Sequence, residues 1–177
     1  QRRIAEILWA VDEIGQMLFL LWTSLSQQLK LLRSQLTNTD LLEKNEEQLR
    51  YKIVKVRDVG SLKRQVVQVG PSGGSLCSRH FTASGVPVVK VNNITEENSI
   101  DLSDSVFIST SHANSLSRYK VEQGDVLIAA QGDTTGRSGI AGYNAEGAII
   151  SQHLARVAVN PEACRPEFLA QVFRSEY

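Results

Sequence analysis

Ile4, Val11, Leu18, Leu25 and Leu32 stand seven residues apart, and this spacing limits the first quarter of the chain more than any other feature. Ile7, Ile14 and Leu21 lie three residues further on in the first three heptads; Leu8, Trp22, Leu29 and Leu36 lie four further on. An apolar stripe sustained over more than four heptads, with no proline, predicts a coiled-coil-like helix over residues 1–37. At 1.5 Å per residue it would be roughly 50 Å long, longer than one domain is wide. In the last two heptads Gln28 and Gln35 take the inner apolar position, moving the seam toward Leu29 and Leu36. A stripe of this kind needs a second helix to cover it. With no other long heptad segment in the chain, the expected partner is a helix elsewhere in the protein or on another subunit, seated on Ile4, Ile7, Val11, Ile14, Leu18, Leu21, Leu25 and Leu32.

Residues 38–50 are polar and acidic and read as a linker. From residue 51 the period changes. Short β-branched runs at Ile53–Val56, Val66–Val69, Val86–Val91, Val106–Ile108, Val126–Ala130 and Leu154–Val159 are separated by Gly, Asn, Ser and Asp, the pattern of a mostly β domain. Thr110–Arg118 suits a short helix with a Ser or Thr cap, and Pro166 suits the first turn of a closing helix through Phe173. The expected class is α+β: a long spacer helix, then a mostly β domain with short helices over 51–177. The chain opens abruptly at Gln1 and stops within a helical pattern at Tyr177, so this domain is expected to be incomplete at its C-terminal end. Phe81, Val88, Ile94, Phe107, Leu127, Phe168 and Phe173 are assigned to the core.

Several chemistries find no support. Met17–Trp22 is an apolar run, flanked by polar residues and far short of the roughly 20 residues a membrane span needs. Cys77 and Cys164 make no disulfide framework, which fits a reducing, cytoplasmic compartment. Cys77 and His80 have ligand-like spacing but no second pair, so a structural cysteine and a surface histidine are expected. Gly132–Gly136 has three intervening residues where a phosphate loop has four, followed by arginine in place of lysine. Ser151 and His153, placed on one face of a strand, lack an oxyanion hole, and the Asn/Asp-Pro-Pro-aromatic motif of adenine methyltransferases does not occur. The formal charge is zero, yet from Tyr51 to Lys90 seven bases (Lys52, Lys55, Arg57, Lys63, Arg64, Arg79 and Lys90) face one acid, Asp58. That stretch reads equally as a surface for a polyanion or as a solvated strand edge.

The stretch Gln1–Leu8, with Asp12 in a helix running on to Leu36, resembles the conserved helix of type I restriction–modification specificity subunits. The ordered set that follows resembles their target-recognition domain: Gly70-Pro71-Ser72-Gly73-Gly74-Ser75-Leu76, Gly85–Ile94, Gly124-Asp125-Val126-Leu127-Ile128, Gly132 with Gly136-Arg137-Ser138-Gly139, and Pro166–Leu169 with Phe173-Arg174-Ser175. Where such domains often open on a Gly-Trp-Glu-like segment, this chain has Leu49-Arg50-Tyr51-Lys52. The resemblance implies a prokaryotic, non-catalytic subunit that reads one half of a split site in double-stranded DNA. It implies paired helices that set the gap, and docking of adenine methyltransferase (modification) subunits and a restriction subunit. S-adenosylmethionine and ATP with Mg would sit on those partners, and this chain would bind no cofactor. The alternatives are the recognition module of a single-chain restriction–modification enzyme and a coiled-coil protein-interaction adaptor.

Base edges call for Arg or Lys at guanine and Asn or Gln at adenine, and phosphates call for cations, hydroxyls and backbone N–H groups. Two segments carry these groups together: Lys90, Asn92, Asn93 and Thr95, and the Gly-rich run Gln131, Asp133, Thr134, Thr135, Arg137 and Ser138. In the second, Asp133 would accept from cytosine N4 or cap the turn, and the turn is the better reading. Ser109–Asn114 and the pair Gln152 and His153 are further candidates, and Gly70–Ser75 is either a phosphate-contacting loop or a turn. Arg137 is expected to be the strongest single contact.

Overall fold

The computed structural model of the chain describes residues 54–174 together with Gln28. Apart from Gln28, the heptad positions named above, the linker, residues 51–53 and residues 175–177 lie outside the described residues. Residues 54–174 fall within one compact unit, Lys52–Arg174.

Two four-stranded sheets organise this unit. The first has the order β1 (Val67–Val69), β8 (Leu154–Val157), β5 (Val126–Ala129), β6 (Ser138–Ile140), with every neighbour antiparallel. The second has the order β2 (Phe81–Thr82), β4 (Val106–Ile108), β3 (Val86–Val89), β7 (Ile149–Ile150), antiparallel except that β3 and β7 run parallel. Two helices are described: α1 (Thr110–Ser115), whose Ser109 hydroxyl accepts from the His112 N–H, and α2 (Pro166–Arg174), with proline in its first turn as expected.

The central strands of the first sheet are covered on both faces. Val126 and Val157 pack with Leu169 and Ala170 of α2, whereas Leu127 and Leu154 belong to the larger core shared with Val88, Val89, Ile94, Ile108, Ile149 and Ile150. This is why β5 and β8 read as almost unbroken apolar runs instead of alternating ones: both side-chain directions point into protein.

Several sequence-based expectations change. The run beginning at Ile53 is not a strand in its described part. Val56–Val59 forms a 3₁₀ turn because the Asp58 side chain accepts the Lys55 N–H at 3.1 Å, while the Asp58 N–H donates to the Lys55 carbonyl at 2.8 Å. The third run ends at Val89, and Val91–Asn93 closes into another 3₁₀ turn. The helix expected to reach Arg118 stops at Ser115 and tightens to a 3₁₀ turn at Ser117–Tyr119. Strands β2, β6 and β7 have no counterpart among the expected runs. Phe168 is corrected from core to surface: it is 62% exposed, on the side of α2 facing away from Leu169 and Ala170. Phe81, Phe107 and Phe173 are half-buried, and Val88, Ile94 and Leu127 are fully buried.

The Gly124-Asp125-Val126-Leu127 segment has a structural basis. Asp125 is 1% exposed, at the start of β5, on the same side as Leu127 and Arg156. Its carboxylate takes an ion pair from Arg64, a second from Arg156 at 3.8 Å, and the Glu122 N–H at 2.8 Å. Burial pushes the Asp125 carboxyl above its ordinary range, against the opposing pull of the Glu122 N–H, Arg64 and Arg156. Burial also lowers Arg156, itself 3% exposed. Of the seven bases between Tyr51 and Lys90, Arg64 therefore serves the interior and is removed from any surface for a polyanion.

Candidate nucleic-acid interface

The turn after β3 is built by one side chain. Asn93 Oδ1 accepts the Lys90 N–H at 2.8 Å, and Asn93 Nδ2 donates to the Asp101 carbonyl at 2.9 Å. Both ends of the amide are thus committed to backbone, and the residue is 6% exposed. Asn93 is corrected from a base reader to the brace that turns the chain outward. Its neighbours carry the exposed chemistry: Asn92 is exposed, and the Lys90 Nζ sits 5.0 Å above the Phe81 ring. A cation over an aromatic face is held in position while remaining available to an anion.

Lys90 and Asn92 line an open groove of about 430 Å³ with Gln152 and His153, reached from the other side by Gly73, Leu76 and Cys77. Four of the expected DNA-contacting residues, from two distant stretches of sequence, thereby share one surface. Ser151, Gln152 and His153 form the turn leading into β8; they do not lie within a strand as the spacing suggested. The His153 Nδ1 lies 3.2 Å from Gln131 Oε1, and the Gln152 amide lies 3.0 Å from His153 Nε2. These bonds tie the groove to the β5–β6 loop, where Gln131, Asp133, Thr134 and Thr135 are all exposed. That loop is shaped by Gly132 and Gly136, each at φ 89°, and by the Thr135 hydroxyl donating to the Gly132 carbonyl at 2.6 Å.

Two other residues expected to meet DNA at this loop have partners within the protein. Ser138 is completely buried in β6 and donates its hydroxyl to the Ala170 carbonyl at 2.6 Å, so it anchors α2 and meets no ligand. Arg137 is ion-paired to Glu96 at 3.1 Å, and its side chain is only 27% exposed. Glu96 follows directly on the Lys90–Thr95 segment, so the pair fastens the two candidate reading segments together. A search of the sequence for donors passes over both the acid and the second arginine that shares it, Arg174. Near the groove wall, the Cys77 sulfur lies 3.6 Å from His80 Nδ1, and the His80 and His112 rings stack at 4.3 Å. Desolvation, followed by the charges of His112 and Arg79, holds His80 below the usual histidine range. Among the described residues no group of three or more His, Cys, Asp or Glu is placed to hold a metal ion. No helix among them is long and apolar enough to cross a membrane.

The chain superimposes on a solved protein, the HsdS subunit from Thermoanaerobacter tengcongensis, with a TM-score of 0.50 over 98% of its length. This chain shares the fold of part of that HsdS subunit. Identity with that HsdS subunit is 17%, and the chain spans 40% of its length. A chain from the structural work on complex assembly and conformational transition of the type I R-M system matches with a TM-score of 0.48 and 14% identity, covering 84% of this chain and 36% of that one. No family model and no curated protein matches the sequence. The HsdS-like fold agrees with the mixed β and α architecture expected from the sequence, with two sheets and few helices in the described part.

Proposed function

We propose that this domain reads sequence in double-stranded DNA as part of a type I restriction–modification specificity subunit, and that it catalyses no reaction. The observation carrying this reading is the groove. Lys90, Asn92, Gln152, His153 and, through His153, Gln131 converge on one open surface of a domain with the HsdS fold. These are the side-chain types that discriminate base edges and neutralise phosphates, and they come from loops braced by buried backbone contacts. In this reading the domain recognises one half of a split site. The heptad segment sets its distance from the other half and offers docking positions for methyltransferase and restriction subunits, which hold S-adenosylmethionine and ATP with Mg.

Within the groove Lys90 has the part of a phosphate contact and Asn92 that of an adenine reader. Lys90→Ala is expected to weaken binding to every duplex alike, by about three- to tenfold, and to lower the slope of log affinity against log salt by about 1. Asn92→Ala should instead lower affinity for the preferred site alone, with non-specific binding unchanged. Fluorescence anisotropy across a salt series, with preferred and scrambled duplexes, separates the two. Binding by the unaltered chain that showed no salt dependence would contradict the proposed function.

A further inference from the structure

Arg137 closes the β5–β6 loop and Arg174 ends α2, which packs against β6, and both guanidinium groups turn to the same carboxylate. Glu96 Oε1 lies 3.1 Å from Arg137 Nη2, and Glu96 Oε2 is paired with Arg174 Nη2. The three members are not equally held. Arg174 Nη1 donates to the Glu96 carbonyl at 2.7 Å and to Asn98 Oδ1. Asn98 is 8% exposed and adopts φ 61°, a left-handed conformation that asparagine tolerates and that aims its amide at the arginine. The Arg174 and Arg137 side chains are 19% and 27% exposed; the Glu96 side chain is 74% exposed. Arg174 is therefore fixed independently of the Glu96 carboxylate, Arg137 is largely buried with its Nε unpartnered, and the exposed carboxylate is the movable partner, in an ion pair too exposed to be strong.

We infer that Arg137 and Arg174 form a phosphodiester-binding site where the β5–β6 loop meets the end of α2, and that the Glu96 carboxylate is an internal stand-in that a DNA backbone phosphate displaces. Arg174 would keep its bonds to the Glu96 carbonyl and Asn98 throughout, so its remaining nitrogen is already oriented when the carboxylate swings into solvent. Two guanidinium groups converging on one oxyanion match the forked geometry that phosphate shares with carboxylate. The site is continuous with the Lys90–Thr95 and Gln131–Arg137 segments, which favours the backbone of a bound duplex over a free anion. This inference rests on the DNA-reading proposal and adds to it a pair of contacts and a cost on binding that applies at every site.

The test compares the full chain with its Glu96→Gln variant, measuring the affinity of a short mixed-sequence duplex across a salt series. Glu96→Gln is expected to tighten binding roughly three- to tenfold at low salt and to steepen the salt slope by about 0.9. The same change in a background carrying Arg137→Gln and Arg174→Gln should have no effect, because the gain requires the arginines. Should that background fail to fold, Arg174→Gln alone must shrink the gain. An unchanged or weakened affinity in Glu96→Gln overturns the inference, as does a gain that persists without the arginines, which would be a general effect of charge. An unaltered chain that bound no duplex would remove the DNA-reading proposal itself and this site with it.

Discussion

Replacing Asp125 with alanine is expected to destabilise the domain by about 3–5 kcal/mol, the cost of removing one member of a buried ion pair. The loss does not measure the strength of the pair, since burying these charges is itself unfavourable: it holds Asp125 above and Arg156 below their ordinary values. It arises because Arg156, 3% exposed on β8 between β1 and β5, would be left without its countercharge, and the Glu122 N–H without its acceptor. Asp125→Asn keeps an acceptor and should cost less, about 1–3 kcal/mol. A raised folded pKa means that Asp125's own contribution is complete below the unfolded value of about 4 and declines as pH rises through the folded value. Asp125→Asn should remove that part of the pH dependence. Denaturant midpoints of the three forms across pH are the measurement; a change below about 1 kcal/mol in Asp125→Ala would show that the buried charges are met elsewhere.

The second large effect is expected at Gly70. Its N–H donates to the Leu154 carbonyl at 2.9 Å, continuing the β1–β8 pairing. A Cβ at this position would stand 2.0 Å from the Ser151 carbonyl oxygen and 3.1 Å from the Gln152 Cα, both backbone atoms. Nothing flexible is available to yield, so Gly70→Ala must move the Ser151–His153 turn, which forms one wall of the groove. The expected cost is about 1–3 kcal/mol of stability, as in other overpacked sites. Because Gln152, His153 and, through it, Gln131 move together, DNA affinity should fall more than tenfold, a loss of about 1.4 kcal/mol or more. Gly73 provides the comparison: it lines the same groove, at φ 65°, and a methyl group there would meet nothing within 4 Å, so alanine should strain only its own turn. Duplex affinity and thermal melting of the two variants separate the effects. Equal DNA binding by Gly70→Ala and the unaltered chain would mean that the turn plays no part in recognition.

The sequence is informative wherever one local pattern is enough. The β-branched runs that become β1, β3, β4, β5 and β8 and the proline-led α2 can be read directly, because burial on one or both faces demands those residues. Strands β2 and β7 are two residues long and exist through partners far away in sequence, such as Val88 against Ile149, and β6 is only Ser138-Gly139-Ile140, so no local period announces them. The run at Val54–Val56 misleads because a short-range competitor, the Asp58 carboxylate, takes the backbone N–H a strand would have offered. The site shows the same division. Lys90, Asn92, Gln152 and His153 are recognisable from their donor and acceptor types and do meet in one groove. Asn93 and Ser138 have the same chemistry but direct it to the Lys90, Asp101 and Ala170 backbone, and residue type alone does not reveal which partner a polar group will find. Glu96 is invisible for the opposite reason: an acid is not sought in a surface for a polyanion until its two arginines are seen.

The most direct test of DNA reading is a map of modified adenines. The protein would be expressed with the adenine methyltransferase proposed as its partner in a host free of other modification, and the host genome sequenced for methylated positions. The expected result is a split motif with a fixed gap, one half of which changes when Gln131–Arg137 and Ser151–His153 are exchanged for those of another specificity domain. Methylation whose motif is indifferent to both exchanges, or no methylation despite an assembled complex, would contradict DNA reading by this domain.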